Sequence, residues 1–398
     1  MQAGGENRQG AGADAPAYAL ETLQLTDFRN YRRLSLEVSH APVALCGANG
    51  AGKTNLLEAL SFLVPGRGLR AAPYDEITRE GARGGWAVFA RVSGPHGLAG
   101  IGTGLGESAA AGEAGRAGRE VRIDGTRARS VNELASLCRM VWLTPSMDQL
   151  FSGPASDRRR FLDRLVVALD PGHRSRISAF ESAMRQRNAL LETGAAGGNG
   201  RWLDAIEAQM AEHAAAVAAA RRDCVRLLQG VLAARAGLGL IPQVELALEG
   251  SLETHLEAMA AVDAEDTYRA RLGASRGLDA AAGRTLEGPH RSDLIVFHGP
   301  KARAARSCST GEQKILLAGI VLAHARLVRE VTAGATPLLL LDEVAAHLDA
   351  AHRAALFGEI EELGAQAWMT GTDEGIFAAA GIAMQRYHVG AGGLERRG

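Results

Sequence analysis

The sequence predicts an α/β core interrupted by a mainly helical insertion. Three observations carry that reading. Short apolar runs that suit buried strands lie towards both ends of the chain, at 43–46, 140–143, 338–341 and 367–370. Between about 151 and 287 the texture changes to long stretches of helical period, at 158–169, 173–192 and 202–235. After 288 short strands and turns return. Each half must therefore supply strands to a single shared sheet. The expected division is a loose tail at 1–17, a first part of the core at 18–150, the helical lobe at 151–287 and a second part of the core at 288–398.

Taken in order, the elements follow from local pattern. Residues 1–16 are rich in Gly and Ala, polar, and without an apolar leader segment. The runs 20–25 and 34–38 flank the polar turn Arg29-Asn30-Tyr31-Arg32-Arg33 and read as a hairpin. The strand at 43–46 enters a glycine-rich turn, after which Leu56, Leu57, Leu60 and Leu63 recur at helical spacing. Strand-like runs at 87–92, 98–101 and 121–124 follow, with the Gly/Ala-rich 102–118 as a hairpin tip. Within the helical stretch, 194–200 reads as a loop. Beyond 288 a strand is expected at 294–297, then a helix capped by Ser309 or Thr310 and reaching about Val331.

Composition bounds the answer. The chain has 398 residues, 46% apolar and 22% charged, which suits a folded core and excludes wholesale disorder. No apolar run approaches the length of a membrane span. Cys46, Cys138, Cys224 and Cys308 are scattered with no C-x-x-C pair, so they read as reduced thiols of a cytoplasmic protein. With a net charge of −1, any nucleic-acid surface must be a local patch. Of 44 Lys and Arg residues only three are lysine: Lys53, Lys301 and Lys314. A lysine kept against such a drift to arginine marks a place where a compact ammonium is needed.

Lys53 lies in Gly47-Ala48-Asn49-Gly50-Ala51-Gly52-Lys53-Thr54, which fits G-x-x-x-x-G-K-[ST] and is followed by Asn55 at the start of the helix. Glycines let the backbone amides turn inward around α- and β-phosphates. Lysine reaches the β- and γ-phosphates, the threonine hydroxyl ligates Mg²⁺, and the helix N-terminus faces the anion. A second motif, the apolar run 338–341 ending in Asp342-Glu343, delivers two acids to a strand's carboxyl end, where open α/β sheets bind ligands. Asp342 suits Mg²⁺, and Glu343 suits a base that deprotonates water. The third, Ser309-Thr310-Gly311-Glu312-Gln313, reads by itself as a capping box.

Together these motifs resemble the ABC-type ATPases. Ser309 to Gln313 is similar to that family's L-S-G-G-Q signature, with Gly311 and Gln313 matching, about thirty residues before the acidic strand. The resemblance implies that a hydroxyl of Thr310 or Ser309, with the Gly311 amide, binds a γ-phosphate held by a second subunit in a nucleotide-sandwich dimer. Ala346-His347-Leu348-Asp349 resembles the D-loop, which puts Asp349 at the same seam. Thr370 or Thr372 stands where most members carry a γ-phosphate-sensing histidine, and Gln149 is the candidate for the metal-side glutamine that links the lobes.

Phe28-Arg29-Asn30-Tyr31 resembles the SMC-like branch, in which this arginine and asparagine approach the nucleotide. Gly153-Pro154 with Arg158-Arg159-Arg160-Phe161-Leu162-Asp163, Gln186-Arg187-Asn188-Ala189-Leu190-Leu191 and Gly288-Pro289-His290-Arg291-Ser292-Asp293-Leu294 are similar to segments of the RecF family. The resemblance runs from about 20 to 372. It implies a slow, DNA-dependent ATPase using ATP and Mg²⁺. It further implies ATP-dependent homodimerisation on double-stranded or gapped DNA, and work with RecO and RecR in loading RecA. His290 reads as a hydrogen-bonded turn residue. Lys301, Arg303 and Arg306 form an acid-free run suited to DNA phosphates. Arg158, Arg159 and Arg160 read equally as phosphate contacts or a solvated helix face. Another SMC-like ATPase would need a long coiled coil, and a transporter ATPase subunit would not carry an insertion of roughly 130 residues.

Overall fold

The computed structural model describes residues 17–105, 118–193, 200–238, 243–378, 380–390 and 393–397. The expected tail, most of the glycine-rich hairpin tip and the loop at 194–199 lie outside the described residues.

Fully apolar four-residue strands build the centre. In chain order they are β3 (Val43–Cys46), β8 (Met140–Leu143) and β12 (Leu338–Leu341), joined by β13 (Ala367–Gly371), and every residue of each is buried. Strands buried on both faces need no alternation, which suits a parallel sheet. With β14 (Gln385–Gly390) and β15 (Gly393–Arg397) the order is β15-β14-β3-β13-β12-β8. All neighbours are parallel except β14 and β15. The two halves of the chain do share this sheet. Because β13 lies between β3 and β12, their carboxyl ends open side by side.

The first half also forms a second sheet that the sequence reading merged with the first. β1 (Ala19–Phe28), β2 (Tyr31–Glu37), β4 (Ala87–Gly94), β5 (Gly97–Leu105), β6 (Arg119–Ile123) and β7 (Thr126–Arg127) pair antiparallel in the order β2-β1-β4-β5-β6-β7. Its alternation is plain in β4, where Val88, Ala90 and Val92 are buried between exposed neighbours. One face is core and the other meets water, so these strands do not suit the middle of a parallel sheet.

The helical stretch contains α2 (Ala155–Leu169), α3 (His173–Glu192), α4 (Gly200–Ala234), α5 (Ser251–Ala258) and α6 (Ala261–Ala282). Its own core joins Phe180, Met210, Leu252, Leu256, Tyr268 and Leu272 across the small residues Ala211, Ala214 and Ala218 of α4. Arg187 is wholly buried and donates to Glu207 at 2.8 Å, Asp279 at 2.7 Å and the Leu272 carbonyl at 2.7 Å, so its charge is fully answered.

The chain does not return to the parallel sheet at 288. The strand expected at 294–297 is β10 (Asp293–His298), which pairs with β9 (Val244–Glu249) and β11 (Arg303–Ala304) in a separate three-stranded sheet. β9 went unread, and without it β10 had no partner but the core. The return is made by α7 (Thr310–Val331), whose buried length leads into β12. α8 (Ala350–Leu363) then connects β12 to β13. All four cysteines are free and buried, and no helix among the described residues is long and apolar enough to cross a membrane.

Candidate nucleotide site

The glycine-rich turn leaves β3 and enters α1 (Lys53–Ser61). Gly47, at φ 154°, lies so close to β14 that a Cβ would overlap the Val389 carbonyl oxygen. Gly52, at φ 112°, would drive a Cβ to 2.5 Å from the Asn30 amide nitrogen and 2.8 Å from the Tyr31 hydroxyl. The Lys53 ammonium is buried within the turn, donating to the carbonyls of Gly47 at 2.7 Å and Ala48 at 2.9 Å. Ala48, Asn49 and Gly50 are exposed at the rim. Burial pushes the neighbouring Cys46 thiol up to about 11, so it stays protonated and inert.

Thr54 and the acidic strand meet here. Its hydroxyl donates to Asp342 Oδ1 at 3.0 Å. Thr370, at the end of β13, donates to the same oxygen at 2.7 Å and accepts from the Glu343 amide at 2.8 Å. Glu343 takes a left-handed conformation, φ 54°, and lines a cavity with Asp342, Asp148, Lys314 and Leu348. The Thr54 hydroxyl and the Asp342 carboxylate are two hard oxygen donors beside the glycine-rich turn. That donor set fits Mg²⁺, which takes few protein ligands and completes its shell with water and phosphate.

The structure gives several of the expected site residues partners that the sequence did not show. Arg29 does not reach for the turn: its guanidinium clasps Glu58 at 2.9 and 2.7 Å and donates to the Glu76 carbonyl. Glu58 is wholly buried on α1, and a buried carboxylate holds its cations tightly. Asn30 does support the turn, donating to the Ala51 carbonyl at 3.1 Å and accepting from Asn55 at 2.8 Å, while the Tyr31 hydroxyl donates to the Gly52 carbonyl at 3.2 Å. Gln149 is exposed and absent from the cavity lining. Its neighbour Asp148 lines the cavity instead, in an ion pair of 2.9 Å with Lys314 of α7.

In the signature-like segment the structure chooses between the two candidate caps. Ser309, not Thr310, is the N-cap of α7: its hydroxyl accepts from the Glu312 amide, and Glu312 accepts from the Ser309 amide at 2.8 Å. Gln313 is buried and donates inward to the Cys308 carbonyl at 3.0 Å. Ser309, Thr310 and Gly311 are exposed, and a Cβ on Gly311 would meet nothing within 4 Å. Asp349 caps α8, accepting from the His352 amide at 2.9 Å, and that backbone bond holds its carboxyl below the usual range.

The basic patches are also more engaged than the sequence implied. Arg158 is bidentate on Asp293, with both contacts at 2.7 Å, and Arg159 donates to the Ser292 carbonyl at 2.7 Å. These bonds lock α2 to the start of β10. Arg160 pairs with Asp157 at the surface. Lys301 and Arg303 both pair with Glu312, so the run is not free of acid once folded. Arg306 is exposed and outside the ion pairs of the described residues. His290 meets the Thr285 carbonyl at 3.1 Å, as a turn residue should.

A glycine-rich G-x-x-x-x-G-K-T turn after one parallel strand, an acid pair after another, and a helical insertion returning through a capped helix define a fold of the ABC/SMC ATPase type. The family model for the RecF/RecN/SMC N-terminal domain matches residues 19–391. The chain is 55% identical to the DNA replication and repair protein RecF of Mesorhizobium japonicum, over 90% of this chain and 93% of that one. It is 51% identical to the protein of the same name from Brucella suis, over 94% and 96%. The chain belongs to the RecF family. Among solved structures, it superposes on a recombination mediator protein RecF bound to ATP, of the RecFOR pathway, with a TM-score of 0.82 at 22% identity, covering 98% of this chain and 100% of that one. It superposes on the Smc head domain of Pyrococcus furiosus with a TM-score of 0.53 at 14% identity, covering 96% of each. At such identities the likeness is one of fold.

Proposed function

We propose that this chain is a slow, DNA-dependent ATPase that closes as an ATP-bound homodimer on DNA and lets go on hydrolysis. The observation that carries the reading is the convergence of Lys53, Thr54, Asp342 and Glu343 at the carboxyl ends of β3 and β12, on either side of β13. Lys53 and the exposed amides of the turn hold the phosphates of ATP. Thr54 and Asp342 hold Mg²⁺, which screens phosphate charge when bound. Glu343 takes the proton of the attacking water. Ser309, Thr310 and Gly311 serve the nucleotide of the second subunit, and Asp349 lies at the same seam. The exposure of these three residues at the start of α7 supports this, because it leaves the segment accessible to a second copy.

Membership of the RecF family supports action in DNA replication and repair, at single-strand gaps or junctions. With it come RecO and RecR as partners in loading RecA, in the cytoplasm. Residues 18–150 and the stretch from α7 onward work as one ATPase core, with the segment between them as a lobe. Arg306, with Lys301 and Arg303 beside it, is the DNA contact of this reading.

Glu343→Gln tests it. The amide keeps the shape but cannot take a proton. Turnover should fall at least about 100-fold while ATP still binds, and the ATP-bound dimer should stay longer on gapped duplex. Parental turnover in this variant would overturn the assignment of the base. Rapid release from DNA in an inactive variant would overturn the clamp.

A further inference from the structure

The hydroxyl of Thr370 joins two groups that the reaction needs, and its chemistry fixes the direction of both bonds. A backbone amide can only donate, so the 2.8 Å contact with the Glu343 nitrogen makes Thr370 Oγ1 the acceptor. Its single proton must then go to Asp342 Oδ1, 2.7 Å away. The Thr54 hydroxyl donates to that same oxygen, so the carboxylate is pinned from the glycine-rich turn on one side and from β13 on the other. Meanwhile Glu343 sits at φ 54°, a conformation that a non-glycine residue keeps only where its surroundings over-determine it. The Thr370 hydroxyl is the partner of its amide. Thr370 is buried, whereas Thr372 is exposed two residues on.

We propose that Thr370 is a positioning residue, whose one hydroxyl sets both the Asp342 carboxylate and the backbone that aims Glu343. It acts through these two neighbours rather than on the phosphate itself. The inference rests on the ATP hydrolysis proposed above.

Two substitutions separate a hydroxyl's role from that of packing. Thr370→Val keeps the branched shape within the strand and removes the oxygen. Thr370→Ser keeps the oxygen and loses a methyl group. Positioning predicts that Thr370→Val lowers the rate constant of ATP turnover roughly 10- to 100-fold, with KM for ATP within about threefold of the parent, and that Thr370→Ser stays within about threefold in both. A second readout needs neither nucleotide nor metal. Amide hydrogen exchange at Glu343 in the free protein should be about tenfold faster in Thr370→Val, and near parental in Thr370→Ser.

If Thr370→Val matches the parent in turnover and exchange, the proposal is wrong. It is equally wrong if the serine variant is the more damaged, since that is the order packing alone would give. A parent that turns over no ATP would remove the hydrolysis reading as well, whereas an active parent matched by Thr370→Val removes only this inference.

Discussion

Of the glycine-containing turns at helix N-termini in this chain, those before α1 and α7 are packed in opposite ways. At the start of α1, Gly47 is pressed against the Val389 carbonyl and Gly52 against Asn30 and Tyr31, and Lys53 is buried beneath them. Asn30, Tyr31, Thr54, Asp342 and Thr370 tie this turn into the sheet. At the start of α7, Ser309, Thr310 and Gly311 are exposed, and the space around Gly311 is open. No packing contact of the described residues calls for glycine at 311, as is also true of the helical glycines Gly230, Gly277 and Gly358, so the contrast rests on exposure. The first turn is complete within one molecule. On the proposed function, the second is completed by another copy.

The largest effect should come from breaking the complete turn. Lys53→Ala removes a charged donor that the surroundings have already paid to bury. ATP affinity should fall at least about 100-fold, near 3 kcal/mol, and ATP-driven dimerisation with it. Melting temperature should fall modestly, because the exposed Ala48 carbonyl regains water while the buried Gly47 carbonyl loses its partner. Equilibrium binding of a fluorescent ATP analogue, with sedimentation, measures both. Retained affinity would mean that the cradle holds nucleotide without its ammonium.

Thr310→Arg strikes the open turn instead. Thr310 is exposed at the first position of α7 and lies far from Lys53 in sequence. Nucleotide affinity of the monomer should stay within about twofold, while ATP-dependent dimerisation weakens at least about tenfold, because a bulky cation now occupies the seam. Parallel loss of both would show that the two turns are not independent. Loss of neither would show that Thr310 does not face a partner.

What could be read from the sequence follows the same divide between local and distant causes. β3, β8, β12 and β13 were legible because a strand buried on both faces is apolar throughout, and the G-x-x-x-x-G-K-T spacing is contained within eight residues. The capping box from Ser309 to Glu312 was equally local. Partners brought together by folding were not. Arg29 finds Glu58, Arg158 finds Asp293 across 135 positions, and Lys301 finds Glu312, so each arginine or lysine looked freer in sequence than it is. One acid, Glu58, did carry a signal: it shares a helix with Leu56, Leu57 and Leu60, where a charge demands an answering cation. β9 was missed because its alternation in Val244 to Glu249 is short, and that displaced β10 into the wrong sheet. Thr370 was marked in sequence only by resemblance, as one of two threonines where most members carry a histidine, and nothing local chose it over Thr372. A threonine at a strand end becomes informative only when the neighbouring strand is known to deliver Asp342 and Glu343.

The smallest effect, and the one that sharpens the comparison most, concerns Glu312. Its carboxylate caps the open turn from within, accepting from the Ser309 amide and pairing with Lys301 and Arg303. The side-chain bond from Lys301 is the main reason its carboxyl is held down, to about 2. A depressed carboxyl stabilises the fold above its ordinary value of 4.5, and that contribution is lost as pH falls towards the depressed value. Glu312→Gln should therefore lower the melting temperature slightly at pH 7, by at most about 2 °C, and the gap to the parent should close as the pH drops below about 4.5. Dimerisation should move the other way. An anion at a helix N-terminus repels an incoming phosphate, so removing this one should strengthen the ATP-bound dimer about two- to fivefold. Thermal melts across pH and sedimentation with ATP give the two signs separately. If the variant is both less stable and a weaker dimer, Glu312 is part of the seam itself, and the open turn is better finished within the chain than its exposure indicates.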